Sequence, residues 1–191
     1  METDLILSGY QVILRPVTED DLEMVRTWRN DPGVSQFMLS QEHITPEQQR
    51  AWFKKVSRDP RQQHYIIFYK DQPIGAANIQ ALQGTDLQNA TVIEPGLYIF
   101  EDKYRANLLT FAPTLLLNDF CFNQLGVKTL RAVVKPDNEA ALNYNAKLGY
   151  QVVRKGALVE IELDQLSYEQ ASKPLKGLLT RPTTRKDNDV R

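Results

Sequence analysis

Cysteine is nearly absent from this 191-residue chain, with Cys121 the only one. That excludes an internal disulfide and a multi-cysteine zinc site. The two histidines, His43 and His64, fall in different segments. They argue against a His-rich metal centre and, with no matching Ser or Cys motif, against a catalytic triad; no metal is expected. Net charge is lacking too. Lys and Arg total 23, Asp and Glu total 24, and the sum is −1, so no overall basic field invites nucleic acid. No run reaches the roughly 18 apolar residues of a membrane span. The richest stretch, 108–122, is broken by Pro113, Asn118 and Asp119. The start, Met1-Glu2-Thr3-Asp4, lacks the basic opening of a signal peptide, and apolar residues 5–7 are too few for its core. These absences predict a soluble, cytoplasmic protein without a membrane partner. Gly-x-Gly-x-x-Gly and Walker patterns are also missing, which removes the common dinucleotide and P-loop sites.

What is present fits one globular domain. Hydrophobic residues make up 42% and charged residues 25%, ordinary values for a soluble fold. The domain is expected over 1–179, with a closing helix over 164–179. Residues 180–191 are rich in Arg, Lys and Asp with Val190 as the one aliphatic residue, so that tail is expected to stay disordered.

Periodicity supplies the elements. Residues 10–15 alternate Val12 and Leu14 with polar neighbours, a strand. Thr18 precedes Glu19, Asp20 and Asp21, an N-cap with an acidic first turn, and Leu22, Val25 and Trp28 give 19–30 an apolar helix face. Thr45-Pro46 opens a second helix running to about Ser57. Strands are expected at 65–69, 74–82 and 91–100, the last deformed by a bulge at Pro95-Gly96. A long helix over 110–124, a strand at 127–134, a helix over 138–148 and strands at 150–153 and 158–163 complete the order. Adjacent strands without intervening helices pair antiparallel, and the two later βα units require parallel crossovers. The expected fold is α/β (α+β): a mixed, mostly antiparallel central sheet with a splayed pair of parallel strands and helices on both faces.

The block 94–150 carries the chemistry. Val133-Val134-Lys135-Pro136-Asp137 leaves a strand and enters a helix bearing Asn138, Ala141, Tyr144, Gly149 and Tyr150. This ending, together with the element order, resembles the GNAT superfamily of acetyl-CoA-dependent N-acetyltransferases over residues 10–165. The resemblance implies direct transfer of acetyl from acetyl-CoA to a primary amine, without an acyl-enzyme. Tyr144 stands where the family places its general acid, since a phenol can protonate a departing thiolate. Glu94 matches a frequent acidic position that takes the amine proton through water. The resemblance gives the pantetheine arm to Tyr98, Ile99 and Phe100, and further cofactor contacts to Asn138 and Asn143. It gives the pyrophosphate to the loop Arg105-Ala106-Asn107-Leu108-Leu109-Thr110, before a helix whose first turn tolerates Pro113. The family loop is rich in glycine. Here Ala106, Leu108 and Thr110 replace all three glycines, removing residues that let a backbone approach a ligand closely.

The acceptor region is the N-terminal third. Trp28-Arg29-Asn30, Met38, Ile44-Thr45 and Gln49-Arg50-Ala51-Trp52 are similar to the pattern of N-acetyltransferases acting on nucleotide-linked amino sugars. That implies a small-molecule amine acceptor. Arg26 or Arg29 would pair with its diphosphate, Trp28 or Trp52 would stack on a base or sugar, and His43 and Asn78 would touch the acceptor. Each residue also has a plain structural role open to it: Trp28 in the core, Arg29 as a helix-end charge, Asn138 as a helix cap. A ribosomal-protein N-terminal acetyltransferase and a non-catalytic binding domain of the same fold stay open as alternatives. The exposed late strands are compatible with a homodimer.

Overall fold

The computed structural model describes residues 5–84 and 86–180. The expected tail, apart from Thr180, lies outside them. Strands β1 (Leu7–Gly9) and β2 (Val12–Pro16) form a hairpin turned by Tyr10 and Gln11, both at positive φ. Three residues are too few for alternation to register, so β1 escapes a reading based on periodicity. A 3-10 turn (Glu19–Asp21) leads into α1 (Leu22–Asn30), followed by α2 (Pro32–Ser35) and α3 (Pro46–Val56). Strands β3 (Gln62–Tyr69), β4 (Gln72–Ala81) and β5 (Val92–Ile99) come next, then the short α4 (Asp102–Arg105). The helix expected over 110–124 is three consecutive pieces: a 3-10 turn (Leu108–Phe111), α5 (Ala112–Asp119) and a π-helical turn (Phe120–Gln124). Strand β6 (Thr129–Val134), α6 (Glu139–Lys147), β7 (Gln151–Lys155), β8 (Val159–Asp164) and α7 (Gln165–Leu179) complete the chain.

The eight strands make one sheet in the order β1-β2-β3-β4-β5-β6-β8-β7. Every neighbouring pair is antiparallel except β5 with β6. The second parallel crossover takes a different form from the one expected. Strand β8 inserts between β6 and β7, so α6 joins two strands that run the same way without touching.

The parallel pair is very short: only Val92 with Thr129 and Ile93 with Leu130 are in register. The cause is Pro95. Val92 O accepts from Leu82 N and Phe100 N donates to Ile74 O, so even-numbered residues of β5 turn their backbone groups to β4. Thr91 O accepts from Thr129 N, so odd-numbered residues turn theirs to β6. Pro95 is odd and has no N–H to give, and the ladder stops there. The bulge expected at Pro95-Gly96 is absent. Strand β5 keeps unbroken register with β4 from Ile93 to Ile99, and the deformation is a parting from β6 instead.

Helices α1 and α3 lie on one face of the sheet, where Val25 and Trp28 bury against Ile66. The other face carries the larger core, including Leu14, Ile67, Ile79, Ile93, Leu115 and Leu117, beneath α5 and α7. Asp119 at the end of α5 ties this side together. It accepts hydrogen bonds from Tyr10 of the first hairpin, from Tyr168 Oη (2.7 Å) and from Lys176 Nζ (2.6 Å) of α7. On the opposite face, Asp21 fixes the start of α1. Its carboxylate accepts from Arg15 Nη1 and Nη2 (3.0 and 2.8 Å), from Thr18 N (2.8 Å) and from Thr18 Oγ1 (2.9 Å).

Burial pushes the Asp21 carboxyl up, but the bonds from Arg15 and Thr18 outweigh it and hold the group below its ordinary value of 3.8. A carboxyl depressed in the folded state stabilises above its unfolded pKa and loses that contribution as pH falls through the folded value. Asp21→Asn is expected to cost about 1–3 kcal/mol at neutral pH. The difference between wild type and variant should shrink as pH drops below the ordinary carboxylate range, as read from denaturant unfolding curves across pH. Equal stability at pH 7 would contradict this assignment.

Candidate active site

Where β5 and β6 part, a cleft of about 900 Å³ opens. Its lining runs from Arg29, the α2–α3 connection and Trp52, across β4 and β5, to the start of α5, the exit of β6 and the inner side of α6. Tyr98, Ile99, Arg105, Thr110, Asn138, Tyr144, Glu94, Asn78, Arg29 and His43 all line it. Arg26, Trp28, Phe100, Asn143 and residues 106–109 do not. The fold explains these placements. Trp28 is buried with its ring stacked on Phe100 and edge-on to Tyr98 (centroids 5.5 and 6.4 Å). Arg26 pairs with Glu23 and reaches Ile44 O (3.1 Å). Asn143 lies exposed on the outer face of α6, while Asn145 lines the cleft.

The floor is a polar patch set by strand register. His64, Asn78 and Gly96 lie opposite one another on β3, β4 and β5, and so do Gln62, Gln80 and Glu94. Opposed residues share a face, so these side chains stand together under α1 and α3. Gly96 gives the Asn78 amide room, because a Cβ on it would fall 2.8 Å from Asn78 Oδ1 and force that side chain to shift. Burial raises the Glu94 carboxyl above its ordinary 4.5. His64 went unassigned to the site in the sequence because nothing nearby marks it. It lines this cleft and also a second cavity of about 350 Å³ beyond the sheet edge of α3. Its Nε2 donates to Gln62 Oε1 (2.9 Å), Trp52 packs edge-on at 4.9 Å, and burial lowers its pKa from 6.5 to about 4. At neutral pH it is an uncharged imidazole with a lone pair on Nδ1.

On the opposite wall Tyr144 is held by three contacts. Its ring stacks on Phe111 (4.6 Å, 5°), its hydroxyl donates to Thr110 O (3.0 Å), and it shares a 2.5 Å hydrogen bond with Thr114 Oγ1. Burial pushes the phenol up, with the Thr114 bond working the other way, so it carries its proton at any physiological pH. Thr114 had no signal in the sequence, since its role exists only where α5 meets α6. Asn138 caps α6 by accepting from Ala141 N (3.1 Å) while also lining the cleft.

At the N-terminal end, Arg29 Nε and Tyr98 Oη are buried with no hydrogen-bond partner among the described residues. Burial pushes the Tyr98 hydroxyl up, against the pull of the nearby Arg29 guanidinium. Asn30 holds the loop above them, accepting from Ile44 N (2.8 Å) and donating to Ile44 O (2.9 Å). Phe37, Met38 and Leu39 supply an apolar wall. No cluster of three or more His, Cys, Asp or Glu able to hold a metal ion occurs among the described residues. No helix of the described residues is long and apolar enough to cross a membrane.

The comparisons with known proteins agree with this geometry. Residues 11–151 match the family model described as Acetyltransferase (GNAT) domain. Two curated relatives, each an acetyltransferase PseH from a strain of Campylobacter jejuni, are 29% and 30% identical over 131 residues, 66% of this chain and 74% of theirs. Among solved structures, FdhC, described as a nucleotide-linked sugar GNAT, superposes with a TM-score of 0.70 at 21% identity, over 90% of this chain and 96% of that one. Spermidine N-acetyltransferase from Vibrio cholerae, crystallised with CoA and spermine, gives 0.70 at 15% identity, over 84% and 99%. At those identities the structural matches speak for the fold alone.

A histidine whose folded pKa is lowered stabilises fully above its unfolded value and loses that contribution as pH falls through the window to the folded value. For His64 the window runs from 6.5 down to about 4. His64→Gln should therefore flatten the pH dependence of unfolding free energy between those limits. An NMR titration showing an imidazole that protonates near 6.5 would refute the burial argument.

Proposed function

The chain belongs to the GNAT acetyltransferase family, and from that premise we propose that its cleft joins acetyl-CoA to the primary amine of a nucleotide-linked amino sugar. As an acetyl-CoA-dependent N-acetyltransferase it needs a donor site, an acceptor site, a base and an acid. The donor arm runs between β5 and β6, where Leu97 and Ile99 turn backbone groups toward the gap left by Pro95. A chain of amides such as pantetheine binds there as an added strand would. Bound acetyl-CoA supplies the acyl group as a thioester.

Glu94, raised by burial, takes the proton of the acceptor ammonium through water and leaves the amine neutral for attack. Tyr144 holds a proton at its hydroxyl for the leaving sulfur. Donation requires the O–H to turn from Thr110 O, while the Thr114 hydroxyl donates to the developing phenolate. Direct transfer is supported by Cys121. It is fully buried with its thiol pushed up by burial, so it offers no nucleophile for a covalent route.

One observation carries the acceptor reading. Arg29 Nε and Tyr98 Oη are buried in the cleft with nothing to bond. Such groups cost about 1–3 kcal/mol each unless something satisfies them. The diphosphate of a nucleotide-linked sugar satisfies both, and Trp52 on the same wall offers a ring for the base or sugar. The apolar Phe37, Met38 and Leu39 suit a deoxygenated sugar ring. The sequence patterns are similar to those of enzymes for UDP-4-amino-4,6-dideoxy-N-acetyl-β-L-altrosamine, which has both features.

Three kinetic outcomes are expected. Tyr144→Phe lowers kcat by about 10²-fold or more, with little change in acetyl-CoA affinity; unchanged kcat would remove Tyr144 from the acid role. Glu94→Gln abolishes the acidic limb of the kcat/KM profile, which lies above the ordinary 4.5. Arg29→Ala raises KM for the UDP-linked amino sugar by about tenfold or more, and leaves the free amino sugar unaffected. Equal effects on both acceptors would rule out a diphosphate contact.

A further inference from the structure

The loop 105–110 stands where the family's glycine-rich cradle would hold a diphosphate, yet two of its backbone amides and its polar side chains are already engaged within the chain. Asn107 Oδ1 accepts from Leu109 N (2.8 Å), and Asn107 O accepts from Thr110 N (3.1 Å). A phosphate would have to displace these bonds to use either amide. Asn107 Nδ2 donates to Lys103 O (3.0 Å). The Thr110 hydroxyl, the loop's substitute donor for a phosphate, donates instead to Tyr104 O and Arg105 O (2.5 and 2.9 Å).

Arg105 is equally engaged. Its Nε donates to Ile99 O (2.7 Å), Nη2 to Phe100 O (2.8 Å), and Nη1 pairs with Asp102 (2.6 Å). The guanidinium ties the end of β5 to α4 and is not free to meet an anion. Geometry agrees with these bonds. No residue of 105–110 has a positive φ, and only the two ends of the loop, Arg105 and Thr110, face the cleft. With Leu108 and Leu109 packed against the core, the loop is a filled turn.

The gap between β5 and β6 is the opposite case. Beyond Ile93 the facing edges of the two strands are unpaired, and the cleft lining continues along both of them to Tyr144. We infer that this protein grips its acyl donor by the pantetheine arm and not by the diphosphate, so that acyl-pantetheine thioesters lacking adenosine diphosphate serve as donors. The inference rests on the donor site proposed above. The reaction is the same: one ammonium proton goes to Glu94, the amine nitrogen bonds the acyl carbon, the C–S bond breaks, the thiolate takes the Tyr144 proton, and the second proton lost by the new amide nitrogen restores the phenol. Remote binding to the nucleotide, which many transferases use to hold their donor, contributes little.

Calorimetric titration of CoA and pantetheine, and turnover with acetyl-CoA and acetyl-pantetheine on one acceptor, test the inference. The two thiols are expected to bind within about tenfold of each other, and acetyl-pantetheine to support turnover. CoA binding tighter by more than that margin overturns the inference, and so does turnover restricted to acetyl-CoA. If neither thiol binds and neither thioester reacts, the donor site itself is misplaced and the inference falls with it. A variant separates the loop from the arm. Asn107→Gly should leave the CoA-to-pantetheine affinity ratio unchanged or raise it by freeing the Leu109 amide. A fall in that ratio marks Asn107 as a diphosphate ligand and overturns the inference.

Discussion

A single missing hydrogen-bond donor shapes the functional half of this molecule. Pro95 lies where β5 would next donate to β6, and it has nothing to donate. Because β5 stays in register with β4 on its other side, the strand cannot follow β6, and the sheet opens. The cleft, the unpaired strand edges and the convergence of α5 and α6 over the opening all depend on that break. In a fully paired sheet the same side chains would flank a closed surface.

The opening also sets the electrostatics. Glu94, Tyr98, Tyr144 and His64 come from three elements and share one consequence of their position: burial disfavours the charged form of each. That leaves a carboxyl whose pKa lies above its ordinary value, a phenol that keeps its proton, and a neutral imidazole beside Asn78. The near-zero net charge of the chain leaves the Arg29 guanidinium in the cleft as a local source of positive charge, with no global field behind it.

Much of the fold was legible in the sequence because its causes are local. Thr18 with Asp21, and Thr45 with Gln48, close capping boxes at the helix starts read from sequence. The Asn138-to-Gly149 signature is largely structural. Asn138 caps α6, and Gly149 takes a φ of +98° where a Cβ would fall 2.7 Å from Ser167 O. Element types followed from periodicity, while the three-residue β1 and four-residue α2 and α4 were too short to carry one. Among site residues, Tyr144 and Glu94 were readable as positions in a pattern. Thr114 and His64 gain places in the cleft from a contact across 30 residues and from strand register, neither of which is written in their neighbours.

The sequence by itself determined the family, the order of elements and the proline that parts the sheet, since each of these is a property of consecutive residues. Only the tertiary structure decided which candidates meet. It sent Trp28 into the core and placed Arg29 in the cleft with its Nε unbonded among the described residues, although the two are adjacent in the chain. It also decided what the loop without glycines became. Lost glycines say that a close approach is disfavoured. Only the positions of Asn107, Thr110 and Arg105 relative to the backbone groups around them show that the loop has bonded to itself, because a hydrogen bond depends on distance and direction in space and not on spacing along the chain.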